Sequence, residues 1–216
     1  MKRSETRAEL IRVGGALIAR QGYNNTGINA VLTEAGVPKG SFYYYFANKE
    51  DFGLAVIEGL DVEHAARLDS VLGDDLTPPL QRIRNYFDAG LADMVEHDYC
   101  RGCPIGNLGQ ELAGQNETFR SRLDAVFSGW KQRFVTCLEA AREAGDIAAD
   151  SDVEALAEFL LAGWEGATLR AKVTRSTEPM AAFAQTFLDR VLRSSTAGRA
   201  PWCQSLQWSP AHAGAG

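Results

Sequence analysis

The chain has 216 residues, 45% of them apolar and 23% charged. That is enough apolar material to bury a core without metals or disulfides, and collagen-like, coiled-coil and disordered classes fall away. No apolar run approaches the ~20 residues of a membrane-spanning helix, so no membrane partner is expected. Met1 to Leu10 is charged at once and lacks the apolar stretch of a signal peptide, which predicts a cytoplasmic protein. Four cysteines (Cys100, Cys103, Cys137, Cys203) are too sparse for a secreted disulfide scaffold. The formal charge of −6 is unevenly spread: residues 1–49 hold seven basic against three acidic residues, and the remainder 15 against 25. A small basic head on a larger acidic body suits a polyanion partner for the head.

In chain order, the first predicted helix runs from Ser4 to Gln21, with Leu10, Val13, Leu17 and Ile18 on one face and a stop at Gly22. Thr26 is expected to cap a short second helix through Leu32, ended by Gly36. Pro38 opens a third, Lys39 to Phe46. Asn48 caps a fourth that runs to about Leu72, with Glu50 and Asp51 complementing its dipole. Thr77-Pro78 starts a fifth helix to about Asp98, and a short one spans Ile105 to Ala113. A long helix covers Glu117 to Ala144. Ser151 and Glu154 form a capping box for a helix to Val173, and the last helix spans Glu178 to Arg193. The fold class is all-α, about nine helices. The expected division is a head over residues 1–50, a body over 51–195 and a flexible tail over 196–216.

Helices two and three, each about two turns long and joined by Ala35-Gly36-Val37-Pro38, have helix-turn-helix spacing, in which the second helix enters the major groove. Phe42 and Phe46, four apart, share a buried face. Tyr43 and Tyr44 then point elsewhere, where hydroxyls can bond phosphates and ring edges can pack on thymine methyls. Gly40 permits close backbone approach. Lys49 is placed to meet a phosphate beside a helix N-terminus. The expected DNA-contacting set is Thr26, Lys39, Gly40, Ser41, Tyr43, Tyr44 and Lys49.

The run from Gly36 to Phe46, with Lys49-Glu50-Asp51-Phe52, closely resembles the DNA-binding head of the TetR family of bacterial repressors. The resemblance covers about residues 5–55, although many members carry histidine where this chain has Tyr44. It implies a homodimer on double-stranded operator DNA, with a ligand pocket in the body. On that reading the last two helices pair between subunits, through Leu156, Leu160, Gly163, Ala167, Phe183, Phe187 and Val191. Packing of the same face within one subunit stands as the alternative.

Tyr86, Phe87, Tyr99, Phe127, Trp130 and Trp164 are pocket candidates, and an aromatic stripe at helical spacing equally describes core. The segments Cys100 to Leu108 and Gly163 to Lys172 are similar to those of the TetR subgroup that answers acrylate, N-ethylmaleimide and related electrophiles, whose reactive cysteine matches Cys103. Cys103 opens a helix, a position that lowers thiol pKa, and Arg101 or Lys172 nearby would lower it further. The expected sensor set is therefore Cys103, Cys100 and Lys172. Three readings of the cysteine pair stay open: inert thiols, an electrophile or redox sensor, or a metal site with His97. Cys137, mid-helix, reads as core, and His64 as a solvated position.

Other classes are a Cys-x-x-Cys thiol oxidoreductase and a helical ligand-binding module without DNA function. The first would need a β-α-β context absent from this pattern. No phosphate loop, metalloprotease motif or nucleophile elbow occurs, and neither enzyme chemistry nor a cofactor is expected.

Overall fold

The computed structural model describes residues 3–192, and the elements within it are helical. They are α1 (Arg3–Gln21), α2 (Ile28–Glu34), α3 (Phe42–Tyr45, entered through a 3₁₀ turn at Lys39–Ser41), α4 (Lys49–Leu72), α5 (Pro79–Glu96), α6 (Pro104–Leu112), α7 (Glu117–Glu143), α8 (Val153–Thr174) and α9 (Glu178–Thr186), which runs on as a π turn. The expected tail, Arg193 and Cys203 lie outside the described residues.

Local signals account for most of these boundaries. Asn48 accepts the Asp51 N–H at 2.8 Å while Asp51 accepts the Ala47 N–H at 2.9 Å, a reciprocal cap that starts α4. Asn116 caps α7 by accepting from Phe119 N–H at 3.0 Å. Three caps differ from expectation, the first at α5, where Pro78 rather than Thr77 occupies the N-cap position and Pro79 opens the helix. Gly27 occupies the N-cap position of α2, and the Thr26 hydroxyl instead donates back to the Gly22 carbonyl at 2.6 Å. Asp152, not Ser151, caps α8, accepting from Ala155 N–H at 3.0 Å.

The first three helices and the start of α4 pack around Leu10, Leu32, Phe42, Phe46, Phe52 and Ile57, all essentially solvent-free. Phe42, Phe46 and Phe52 meet in pairs at ring-centre distances of 5.0–5.5 Å. Helices α4, α5, α7, α8 and α9 form the body, with Ile83, Phe87, Phe134, Leu138, Leu160 and Phe187 at its centre. Charged ties bind α4 to α7: Arg122 pairs with Glu58 and with Asp61 at 3.1 Å, and Arg133 with Asp69 at 2.6 Å. The short α6 touches α1, α4 and α7, so it bridges head and body. Cys137 is buried, as its mid-helix position predicted.

Candidate nucleic-acid interface and sensor site

The α3 turn has two faces. Phe42 and Phe46 point into the head, and Tyr43 and Tyr44 on the other side are 71% and 60% exposed. A ring that large stays in water only at a cost in apolar exposure, so the pair forms a surface suited to contact. Lys39 and Gly40 beside them are exposed and Ser41 is half-buried, which makes one continuous polar-aromatic face. Two other residues expected in this set are engaged elsewhere. Thr26 is 1% exposed and closes the turn after α1, so it cannot reach a nucleic acid. Lys49 donates to the carbonyls of Tyr23 at 2.9 Å and Asn24 at 3.3 Å, and lies 4.5 Å from the Tyr23 ring centre. Its charge is spent on that turn rather than presented to a phosphate. Arg7 stacks over Phe46 at 5.2 Å, Arg12 pairs with Glu9 and Arg20 with Glu34, so these three arginines are engaged within the head.

Cys103 is the N-cap of α6, its Sγ accepting the Gly106 N–H at 3.3 Å. The expectation of a lowered thiol pKa is overturned. Burial first, and then the facing Glu165 carboxylate, push the Cys103 thiol well above its ordinary value, outweighing the helix N–H groups that pull it down. Burial likewise raises Glu165, although its hydrogen bond with Cys103 partly offsets this. Glu165 can come so close because residue 106 is glycine: a Cβ there would collide with its Oε2. Lys172 lines the same small cavity but donates to the Arg101 carbonyl at 3.4 Å. Cys100 is exposed, donates to the Asp98 carbonyl at 3.3 Å and is not bonded to Cys103. The chain reaches it through Asp98 and Tyr99, both with positive φ (49° and 58°), a turn that swings Cys100 outward. His97 bonds to the Asp93 carbonyl, and no cluster of three metal-ligating side chains occurs among the described residues.

A depression of about 340 Å³ adjoins this pair, lined by Gly106, Gly109, Gln110, Phe127, Glu165, Gly166 and Leu169. Of the aromatic pocket candidates, Phe127 lies on its wall. Tyr86, Phe87 and Trp164 belong instead to a packed aromatic cluster with Phe134 and Phe183, Trp130 packs on Phe127 and His64, and half-buried Tyr99 packs on the core. The Trp130 indole is satisfied by Asp61 at 3.0 Å. His64 is half-buried rather than fully solvated. It leans on Trp130 with ring centres 4.1 Å apart, and burial lowers its pKa to about 4.

The expected dimer set also divides. Leu160 and Phe187 are fully buried within the subunit, Ala167 is nearly so, and the Phe183 ring occupies the space over Gly163. These five positions serve the subunit's own core, because α9 packs against that side of α8. Leu156 and Val191 are half-buried. The outward face of α8 is a different stripe: Phe159, Ala162, Gly166, Leu169 and Val173 recur at helical spacing and are all exposed.

Two family descriptions match this chain. "Bacterial regulatory proteins, tetR family" covers residues 10–56, and "Tetracyclin repressor-like, C-terminal domain" covers residues 79–187. The chain belongs to the TetR family of transcriptional regulators. Transcriptional regulator AcuR of Cereibacter sphaeroides is 42% identical over 178 residues, 82% of this chain and 81% of that protein. HTH-type transcriptional repressor DhaR of Mycobacterium sp. strain GP1 is 34% identical, covering 90% of this chain and 96% of that one. HTH-type transcriptional repressor NemR of Escherichia coli K12 is 33% identical, covering 82% and 88%. Among solved structures, a regulatory protein TetR from Rhodobacter sphaeroides superposes with a TM-score of 0.79 at 42% identity, covering 83% of this chain and 95% of that one. The reduced form of E. coli NemR superposes with a TM-score of 0.80 at 32% identity, covering 85% and 95%. As a TetR-family member the chain is a DNA-binding regulator and not an enzyme, which removes the thiol oxidoreductase alternative. No described helix is long and apolar enough to cross a membrane.

Two residues of this TetR-family chain escaped sequence reasoning. Glu165 stands alone in an otherwise apolar stretch of α8, a signal that could have been read. Glu111 binds two backbone N–H groups of the head, and nothing in its neighbourhood of the sequence announces that role.

Proposed function

We propose that the protein is a cytoplasmic, homodimeric repressor that binds a palindromic operator and is released by a small molecule or electrophile reaching the depression between α6 and α8. The observation that carries the DNA half is the exposed pair Tyr43 and Tyr44 on a recognition turn whose other face is fully buried. One such head buries too little surface for tight specific binding, so two heads on one duplex are required. The α8 stripe from Phe159 to Val173 supplies the apolar surface through which two subunits pair. Head, body and tail divide near residues 50 and 195. Lys39, Gly40, Ser41, Tyr43 and Tyr44 contact the duplex.

Cys103, Glu165 and Lys172 receive the signal, since they share a cavity at the start of the helix that bridges to the head. Similarity to NemR, whose solved structure is of a reduced form, supports a thiol in that role. A second reading, non-covalent occupation of the depression, is favoured by the raised thiol pKa, because a thiol held protonated reacts slowly at neutral pH. Selection of bound duplexes from a random pool tests the proposal, repeated after N-ethylmaleimide treatment and with Cys103→Ser. A palindrome should be enriched, and treatment should release it from the wild type alone. Failure to enrich any sequence defeats the DNA reading, and equal release from both proteins removes Cys103 from the mechanism.

A further inference from the structure

The Tyr23–Asn24 turn, which joins α1 to the helix-turn-helix, is gripped from two sides. From the body, Glu111 in the last turn of α6 accepts the Tyr23 N–H at 2.8 Å with one carboxylate oxygen and the Asn24 N–H at 2.7 Å with the other. From the head, Lys49 takes both carbonyls of the same two residues. Bonds from two peptide N–H groups to one carboxylate are charge-assisted, short and directional, and together they fix an angle as well as a distance. The carboxylate also lies 2.9 Å from where a side chain on Gly22 would begin, in a turn with φ of +82°, so no other residue fits there without displacing it. Around this point the Phe119 ring meets Tyr23 edge-on at 5.0 Å, and Asn116 donates to Glu50 at 2.8 Å.

The geometry points to Glu111 as the positioning residue that holds the DNA-binding head at a fixed orientation on the body, and so sets the spacing of the two heads. The second clause rests on the dimeric, palindrome-binding reading above. Glu111 touches no DNA and acts through the turn it grips. Cys103 caps the other end of α6, eight residues away, and at ~1.5 Å per residue the two sites are about 12 Å apart along one rigid helix. Glu111 thus ties the helix that Cys103 caps to the turn that carries the head. Glutamine at this position has one acceptor oxygen for two donors and turns an NH₂ group toward the second N–H, so the grip is lost with little change of volume.

The test uses the full-length protein, Glu111→Gln and two duplexes: the palindrome recovered from a random pool, and the same sequence with one half-site scrambled. Loss of fixed spacing weakens two-headed binding and spares one-headed binding. Affinity of Glu111→Gln for the palindrome should fall tenfold or more, and for the half-site less than twofold. Backbone amide exchange at Tyr23 and Asn24 should accelerate at least tenfold, with the helical circular dichroism unchanged. Unchanged palindrome affinity, or equal loss on both duplexes, overturns the positioning role, the second outcome reporting a damaged head. If the wild type enriches no palindrome, the operator reading fails, and the exchange rates at Tyr23 and Asn24 still decide whether Glu111 grips the head. Protection unaffected by the substitution then defeats the grip as well.

Discussion

His64 illustrates how a single side chain's chemistry is set by its surroundings. On α4 it is pressed against Trp130, and burial followed by the positive charge of Arg67 lowers its pKa to about 4, with Asp61 acting in the opposite direction. The folded protein therefore refuses a proton that the unfolded chain accepts near pH 6.5. Stability is unaffected by this group at pH 7 and above, and is lost as the pH falls from about 6.5 to about 4, by up to roughly 3 kcal/mol. His64→Phe keeps a ring against Trp130 and removes the titration. Urea unfolding at pH 7 and pH 4.5 should show a smaller acid loss in the variant, and an identical loss in both would place the proton uptake elsewhere. Cys103 follows the same logic in the other direction: its helix-N-terminal position argues for a lowered pKa, and desolvation with a facing carboxylate reverses the outcome.

Among the elements, α4 carries the most consequential start. Its reciprocal cap between Asn48 and Asp51 lies directly after α3, so the same two hydrogen bonds begin the long helix and end the recognition turn. Asn48→Ala should cost about 1 kcal/mol, whereas Asn48→Gly should cost only a few tenths, because glycine also suits the extended cap conformation. Thermal unfolding of the two variants distinguishes them, at about 2–4 °C per kcal/mol for a chain of this size. Melting of both variants at the wild-type temperature would mean that the cap hydrogen bond contributes nothing. Helix α6 does more than its length suggests. It is short, yet it begins at the Cys103–Glu165 cavity and ends at the grip on the head.

For the whole molecule, the two faces of α8 make opposite predictions. Leu169 is 42% exposed on the outward stripe, whereas Leu160 is fully enclosed by its own subunit. Leu169→Glu should give a monomer by gel filtration with light scattering, with its melting behaviour otherwise intact and palindrome binding lost. Leu160→Ala should cost about 2–5 kcal/mol of stability through the cavity it leaves, and assemble normally while folded. A dimeric Leu169→Glu protein would move the interface off this stripe.

What could be read along the chain, and what could not, follows the range of the interactions involved. Helix number, most caps, the helix-turn-helix spacing and the outward Tyr43–Tyr44 pair depend on neighbours within about four residues, and such signals lie side by side in the sequence. Lys49 looked free for a phosphate because its partners, the Tyr23 and Asn24 carbonyls, are 26 and 25 residues away. The raised thiol of Cys103 depends on burial by distant helices and then on Glu165, and the grip of Glu111 spans 88 and 87 positions. The face that α8 turns outward was chosen by α9, whose Phe183 and Phe187 cover Gly163 and the neighbouring core. Periodicity identifies an apolar stripe without saying which neighbour will claim it, and a helix with apolar residues on two faces has two stripes to offer. Only the packing of distant helices decides which becomes core and which is left for a partner.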